Sequence, residues 1–229
     1  MRIILCLFVF LLFACNQKPK NYTPSTKKPA TAKKSTGQTP TDRYPAQKAP
    51  EQYKYQPQVL TGNEIQSKEL RYQDGANNQR IAHLNGSPFT GVAIYQLPDG
   101  SIFTYETFKE GVKDGPYRTR LVNTDDDGNT AYTMAVGTFK NGLNDGIYLE
   151  YYDGANGPLK YEYHYSNGRK MKSWNSYYRN GSQWTRRDFN NDIIVDKVLV
   201  WDTDGTLTKE STYKNGQLIY KKDHYKDNE

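Results

Sequence analysis

Polar and apolar residues alternate singly through residues 160–165, where Tyr161, Tyr163 and Tyr165 interleave with Lys160, Glu162 and His164. A period of two sends successive side chains to opposite faces and predicts a half-buried β-strand. Runs of similar length and chemistry recur as VAIYQL (92–97), SIFTYETF (101–108), IYLEYY (147–152), VLVWD (198–202) and TLTKESTY (206–213). No stretch carries the 3.6-residue apolar period of a helix.

Small polar residues followed by glycine punctuate these runs. One series is Asp74-Gly75, Asp99-Gly100, Asp127-Gly128, Asn156-Gly157, Asn180-Gly181 and Asp204-Gly205. A second interleaves with it: Asn85-Gly86, Glu110-Gly111, Asn141-Gly142, Asn167-Gly168, Asn191-Asp192 and Asn215-Gly216. Such pairs favour type I′ hairpin turns, because glycine takes positive φ freely and Asn or Asp tolerates it. The second positions of each series recur every 24 to 31 residues, two strands and two turns per period. Five of the six second-series turns have Phe or Tyr three residues before the second position: Phe108, Phe139, Tyr165, Phe189 and Tyr213. Six residues after that position stands Tyr117, Tyr148, Trp174 or Val198. The prediction is an all-β fold: an antiparallel meander of about a dozen short strands, built as stacked β-hairpin repeats over residues 61–229. Lys172, Asp192 and Asp196 stand where glycine is expected and put the regularity of the later repeats in question.

FKEGVKDGPY (108–117), FKNGLNDGIY (139–148) and YKNG (213–216) resemble the MORN repeat, in the divergent variant found in bacterial secreted and lipidated proteins. LNGSPFTG (84–91) resembles the entry repeat of that group, and the likeness covers residues 68–225. It implies an elongated sheet of hairpins and carries little information on activity, although some relatives bear the label of an antitoxin component. The motif is turn chemistry. It lacks the GxxxxGK[ST] of a phosphate loop, and Lys113 and Asp114 exclude the apolar helix that a GxxxG contact requires.

Residues 1–14 read as a signal peptide. The apolar run from Ile3 to Phe13 is 11 residues, short of the ~20 that span a bilayer. Leu12-Phe13-Ala14-Cys15 resembles a bacterial lipobox, which implies cleavage before Cys15, acylation of that cysteine and, with Asn16 following, an outer-membrane destination. Cleavage discards Cys6, so no disulfide or cysteine metal site is expected.

Residues 15–60 then hold the lipidated cysteine and a linker with 7 of the 11 prolines and a net charge of +7. Its composition predicts disorder and a reach of roughly 35–40 Å. Its charge also allows contact with anionic lipid or wall polymers. Residues 61–229 carry 21 basic and 23 acidic side chains, so the basic balance of the whole chain predicts no nucleic-acid partner for the folded part.

Catalytic and metal signatures are sparse. His83, His164 and His224 share no ligand spacing. Asn123, Asp125, Asp127 and Gly128 match the first half of a calcium loop, but Ala131 and Met134 occupy its ninth and twelfth places. No nucleophile elbow occurs. We expect neither enzyme activity nor cofactor nor metal.

The informative excess is aromatic: residues 61–229 hold 16 tyrosines and all three tryptophans. Aromatic density peaks at Tyr148, Tyr151, Tyr161, Tyr163, Tyr165, Trp174 and Tyr177, with Trp184 close by in sequence. Tyrosine and tryptophan anchor partners at interfaces and stack on sugars, but alternation sends some of these seven to opposite faces. The expected role is a membrane-tethered, non-catalytic module that binds a protein or scaffolds a complex at the cell envelope. Glycan or peptidoglycan recognition is the second expectation, and an antitoxin or immunity role, implied by the resemblance alone, is the third.

Overall fold

The computed structural model describes residues 44–51, 59–76, 79–124, 130–154 and 157–224. The chain divides into two units, Met1–Gly37 and Gln38–Glu229, and the first lies outside the described residues, as do the signal peptide, Cys15, most of the linker and the Asp125–Gly128 cluster.

Sixteen strands follow in order: β1 (Ile65–Gln66), β2 (Arg71–Asp74), β3 (Arg80–Leu84), β4 (Ser87–Pro88), β5 (Gly91–Gln96), β6 (Ile102–Lys109), β7 (Val112–Thr124), β8 (Thr130–Lys140), β9 (Leu143–Asn144), β10 (Gly146–Tyr152), β11 (Leu159–Ser166), β12 (Arg169–Tyr177), β13 (Gln183–Asn190), β14 (Ile193–Trp201), β15 (Leu207–Lys214) and β16 (Gln217–Asp223). From β5 onward the long strands pair antiparallel in chain order through β16, with β9 attached to β8 and β1 added parallel to β5. The protein is thus all-β with a meander-like sheet. The entry motif stands apart from it, because β2, β3 and β4 form a separate three-stranded sheet.

The two turn series take different conformations. Every second-series turn has positive φ at both central residues, from Asn85 (52°) and Gly86 (85°) to Asn215 (51°) and Gly216 (77°). These are the type I′ turns expected, and Glu110-Gly111 and Asn191-Asp192 adopt the same geometry. The first series departs from the expectation. At Asp99-Gly100, Asn180-Gly181 and Asp204-Gly205 only the glycine is left-handed. Gly100, Gly181 and Gly205 donate N–H to the carbonyls of Leu97, Tyr178 and Asp202. This is the three-residue hairpin, a type I turn closed by a left-handed residue. Near Asn156-Gly157 the left-handed pair is instead Asp153-Gly154.

The substitutions that questioned later repeats leave the backbone unchanged. Gly115, Gly146, Lys172 and Asp196 all have positive φ, each four residues beyond a second-series turn. At three of these positions the ladder slips, between Glu106 and Phe108, between Glu162 and His164, and between Arg187 and Asp188 on the facing strand. The extra residues bulge outward and strengthen the local twist.

Successive second-series turns are hydrogen-bonded in a row. Gly142, Gly168, Asp192 and Gly216 donate N–H to the carbonyls of Lys113, Asn144, Lys170 and Ile194 at 2.8–3.2 Å. Each acceptor lies two residues past the preceding turn. Asp114 and Asp145, the aspartates of the repeated motif, accept the N–H of Asn141 and Asn167 at 3.0 and 2.9 Å.

Directly paired residues share a face, which divides the sheet into two surfaces. One is aromatic: Phe108, Tyr117, Tyr148, Tyr163, Trp174 and Phe189 all project from it. At the β5–β6 end this face is covered by the small sheet, where Phe108, Phe89, Ala82, Ala93 and Leu70 form a buried cluster. The opposite face carries two further clusters, Tyr151–Leu159–Tyr177 and Leu199–Trp201–Leu207.

Residues 44–51, which composition assigns to the linker, pack against this second face as a strap. Ala49 donates N–H to Gly181 O (3.0 Å), Gln183 donates N–H to Gln47 O (2.9 Å), and Trp201 Nε1 donates to Tyr44 O (2.8 Å). Ala49 joins the first cluster, and Tyr44 and Ala46 join the second.

Candidate binding face

Five of the seven aromatics singled out in the sequence come together on the aromatic face over β10–β12. Tyr148 pairs across the ladder with Tyr163 and stacks on it at 5.7 Å. Tyr161 stacks on Tyr163 at 5.1 Å along the strand. Trp174 lies against Tyr163 at 4.1 Å and 14° and meets Tyr165 edge-on at 5.1 Å. Phe189, which the density argument passed over, extends the row at 5.1 Å from Trp174. All five are half-buried, and no described segment lies over them.

Tyr151 and Tyr177 do not belong to this surface. Both are 2% exposed in the core of the strap face, and Tyr177 Oη donates to buried Glu162 at 3.2 Å. The alternation explains the split: Tyr151 pairs with Leu159, the odd register on that side of a bulge at Lys160. Trp184 stands outside the stacked row, 5.9 Å from Tyr178.

Hydroxyls and charges differ along the row. Tyr148 Oη donates to Glu150 at 2.7 Å, and Lys160 Nζ donates to the same carboxylate at 3.0 Å. Burial, together with the Glu150 charge, holds the Tyr148 hydroxyl protonated far above the usual phenol range. Burial also raises Tyr163, against a smaller opposing pull from Arg187, and raises Tyr165, reinforced by Asp192. For Lys160 burial works downward, but the hydrogen bond and charge of Glu150 outweigh it and the ammonium is stabilised. Lys170 Nζ sits 4.7 Å from the Trp174 ring centroid and 5.3 Å from that of Phe189. The sequence reading missed Lys170, although the hairpin register about Asn167-Gly168 pairs it with Tyr165.

Near contact between Trp174 and Tyr163 covers one ring face of each. The row therefore presents edges and hydroxyl tips to solvent more than open ring planes. That geometry suits side chains and backbone groups of a protein better than the flat stacking of a sugar.

Elsewhere, a cleft of about 430 Å³ opens between the small sheet and β6–β7, lined by Tyr72, Arg80, Phe108, Val112 and Lys113 among others. His164 Nε2 lies 3.1 Å from Glu162, His83 Nδ1 lies 3.1 Å from Ile81 O, and His224 Nε2 lies 3.8 Å from Glu210. The three are on separate parts of the sheets and share no site.

The chain matches no protein-family model and no curated protein. The resemblance to MORN repeats rests on the turn motifs themselves.

Proposed function

We propose that this protein is a non-catalytic binding module of the cell envelope, tethered to a membrane through acylated Cys15, whose aromatic face receives a protein partner. The observation that carries the reading is the uncovered row Tyr148, Tyr161, Tyr163, Tyr165 and Trp174. Half-buried tyrosine and tryptophan rings grouped at one place are the residue types that dominate binding energy at protein interfaces. The small sheet and the strap pack on other parts of the sheet, and their clusters include none of the five residues of the row.

The anchor is supported by the lipobox-like Leu12–Cys15 stretch and by the short apolar run before it. An acyl chain contributes about 0.8 kcal/mol per buried methylene, and more than one chain is needed for durable attachment.

Two experiments test the parts separately. Cys15→Ala should move the protein from the membrane fraction to the soluble fraction, and continued membrane association would remove the anchor. The Tyr163→Ser/Tyr165→Ser variant should lose a stoichiometric partner that the wild type recovers from envelope extract. Equal recovery by both proteins would remove the aromatic face from the proposal. A shift of Trp174 emission on titration with cell-wall fragments, with no protein recovered, would replace the protein partner by a glycan.

A further inference from the structure

The open part of the aromatic face has a charge character of its own. Hairpin register places Lys170 opposite Tyr165, Lys172 opposite Phe189 and Arg187 opposite Trp174, so all three cations share the face of the row. Lys170 lies over the Trp174 and Phe189 rings, and the Arg187 charge reaches the Tyr163 hydroxyl. Two other cations on this face are neutralised: Lys113 is bonded to Glu106, and Lys160 to Glu150. Lys170, Lys172 and Arg187 have no carboxylate partner among the described residues. The nearby acids are Asp192, whose carboxylate accepts the Lys170 backbone N–H, and Asp196 on β14. The hydroxyls of Tyr161, Tyr163 and Tyr165 likewise have no hydrogen-bond partner among the described residues.

We propose that this region docks an extended, acidic segment of a partner protein, with its carboxylates held by Lys170, Lys172 and Arg187 and its backbone carbonyls by the tyrosine hydroxyls. The inference rests on the protein-binding reading above and names the chemistry of the partner. Lys170, half-buried over the Trp174 and Phe189 rings, is held in place by them, which limits its ordering cost on binding, while Lys172 and Arg187 stand exposed beside the rings. Their opposite charge speeds encounter with an acidic ligand and selects against a basic one. Asp192 and Asp196 at the margin repel a continuous polyanion such as a phosphate polymer or an anionic bilayer. A peptide whose carboxylates are spaced apart avoids them.

The test uses the full-length protein and fluorescence anisotropy. The probe is a labelled peptide of about 12 residues alternating Glu with Tyr, enough for an extended segment to cross the region. Its counterpart has Gln at every Glu. The acidic peptide should bind about tenfold tighter than the Gln peptide. Lys170→Gln/Lys172→Gln/Arg187→Gln should erase that difference while retaining the affinity for the Gln peptide. The acidic peptide should also weaken as salt rises from about 50 to 300 mM. Equal binding of the two peptides by the wild type, binding of neither, or an unchanged preference in the triple variant would each overturn the inference. So would vesicles containing phosphatidylglycerol that bind the wild type, lose the triple variant and displace the peptide. Tyr163→Ser/Tyr165→Ser separates the two levels. If it abolishes binding of both peptides while the triple variant changes nothing, aromatic docking of a protein stands and the acidic character falls.

Discussion

At the scale of single residues, the fold depends on a few positions held at positive φ. Gly111 is the most constrained. A Cβ there would meet Ile81 Cγ2 at 2.4 Å and the Ala82 carbonyl oxygen at 2.8 Å, and φ is 81°. Gly111→Ala should therefore cost at least ~2 kcal/mol, read from the urea midpoint. Its neighbour Glu110 takes φ 50° without the tolerance of asparagine. Glu110→Asn should stabilise by ~0.5–1 kcal/mol in the same measurement, because the other repeats use Asn there and the backbone bond from Glu110 N–H to Thr90 Oγ1 is kept.

The tyrosine hydroxyls set a pH limit. Tyr117, Tyr148 and Tyr163 are all raised by burial, so the folded state prefers their neutral forms. Lys160 and Lys197 are raised too, and the folded state prefers their charged forms. Both kinds of group contribute stability that is intact below the unfolded values, about 10 for tyrosine and 10.4 for lysine, and is lost as pH climbs past them. Alkaline titration should show a last fraction of the tyrosinate absorbance that appears only with loss of the β-sheet circular dichroism, because exposed rings such as Tyr95, Tyr132 and Tyr220 ionise without unfolding. Complete tyrosinate formation in protein that keeps its sheet would contradict the burial of these rings. The positions of the turns were legible in the sequence because Asn-Gly and Asp-Gly have few other uses. Their conformational types were not, because one dipeptide serves both a two-residue and a three-residue hairpin, and hydrogen bonding of the flanking residues decides between them.

At the scale of elements, alternation made the strands legible and even foretold that the seven aromatics divide between faces. It did not reveal which five remain together, since bulges at Lys160, at the start of β11, and near Lys172, within β12, shift the register. Nor did the loss of glycine at Lys172 and Asp196 break the pattern: the surrounding ladder imposes the left-handed conformation, and the residue bears the strain. The aspartate of the repeated motif has a role that spacing alone conceals, because its partner lies 22 or 27 residues onward in the next turn. Asp145→Ala frees the N–H of Asn167 at an exposed site and should cost ~1 kcal/mol in equilibrium unfolding. The cost should be mirrored by Asp114→Ala, whose acceptor bond to Asn141 is equivalent. A null effect for both would leave the row of turns supported by its backbone bonds alone.

At the scale of the whole molecule, the sheet has two faces with different fates. Residues 44–51 read as linker from their prolines and polarity, yet they supply Tyr44, Ala46 and Ala49 to the two clusters on one face. Nothing local marks them, because their hydrogen bonds run to Gln183 and Trp201, 136 and 157 residues away. A chain beginning after Glu51 should lose this cover. Its melting temperature should fall, and the emission of Trp201, 2% exposed in the folded protein, should move to longer wavelength. An unchanged spectrum would mean that the strap lies over an already sealed surface.

The row of hydrogen-bonded turns has a consequence for how such a protein changes over generations. From β6 to β16 the strands pair only with near neighbours in chain order, and the last two intervals in each turn series are both 24 residues. An in-frame duplication of one such block brings its own punctuation, its own ring and its own joining bonds. Copy number can then act as a ruler, lengthening or shortening the exposed surface without redesign of what is already there.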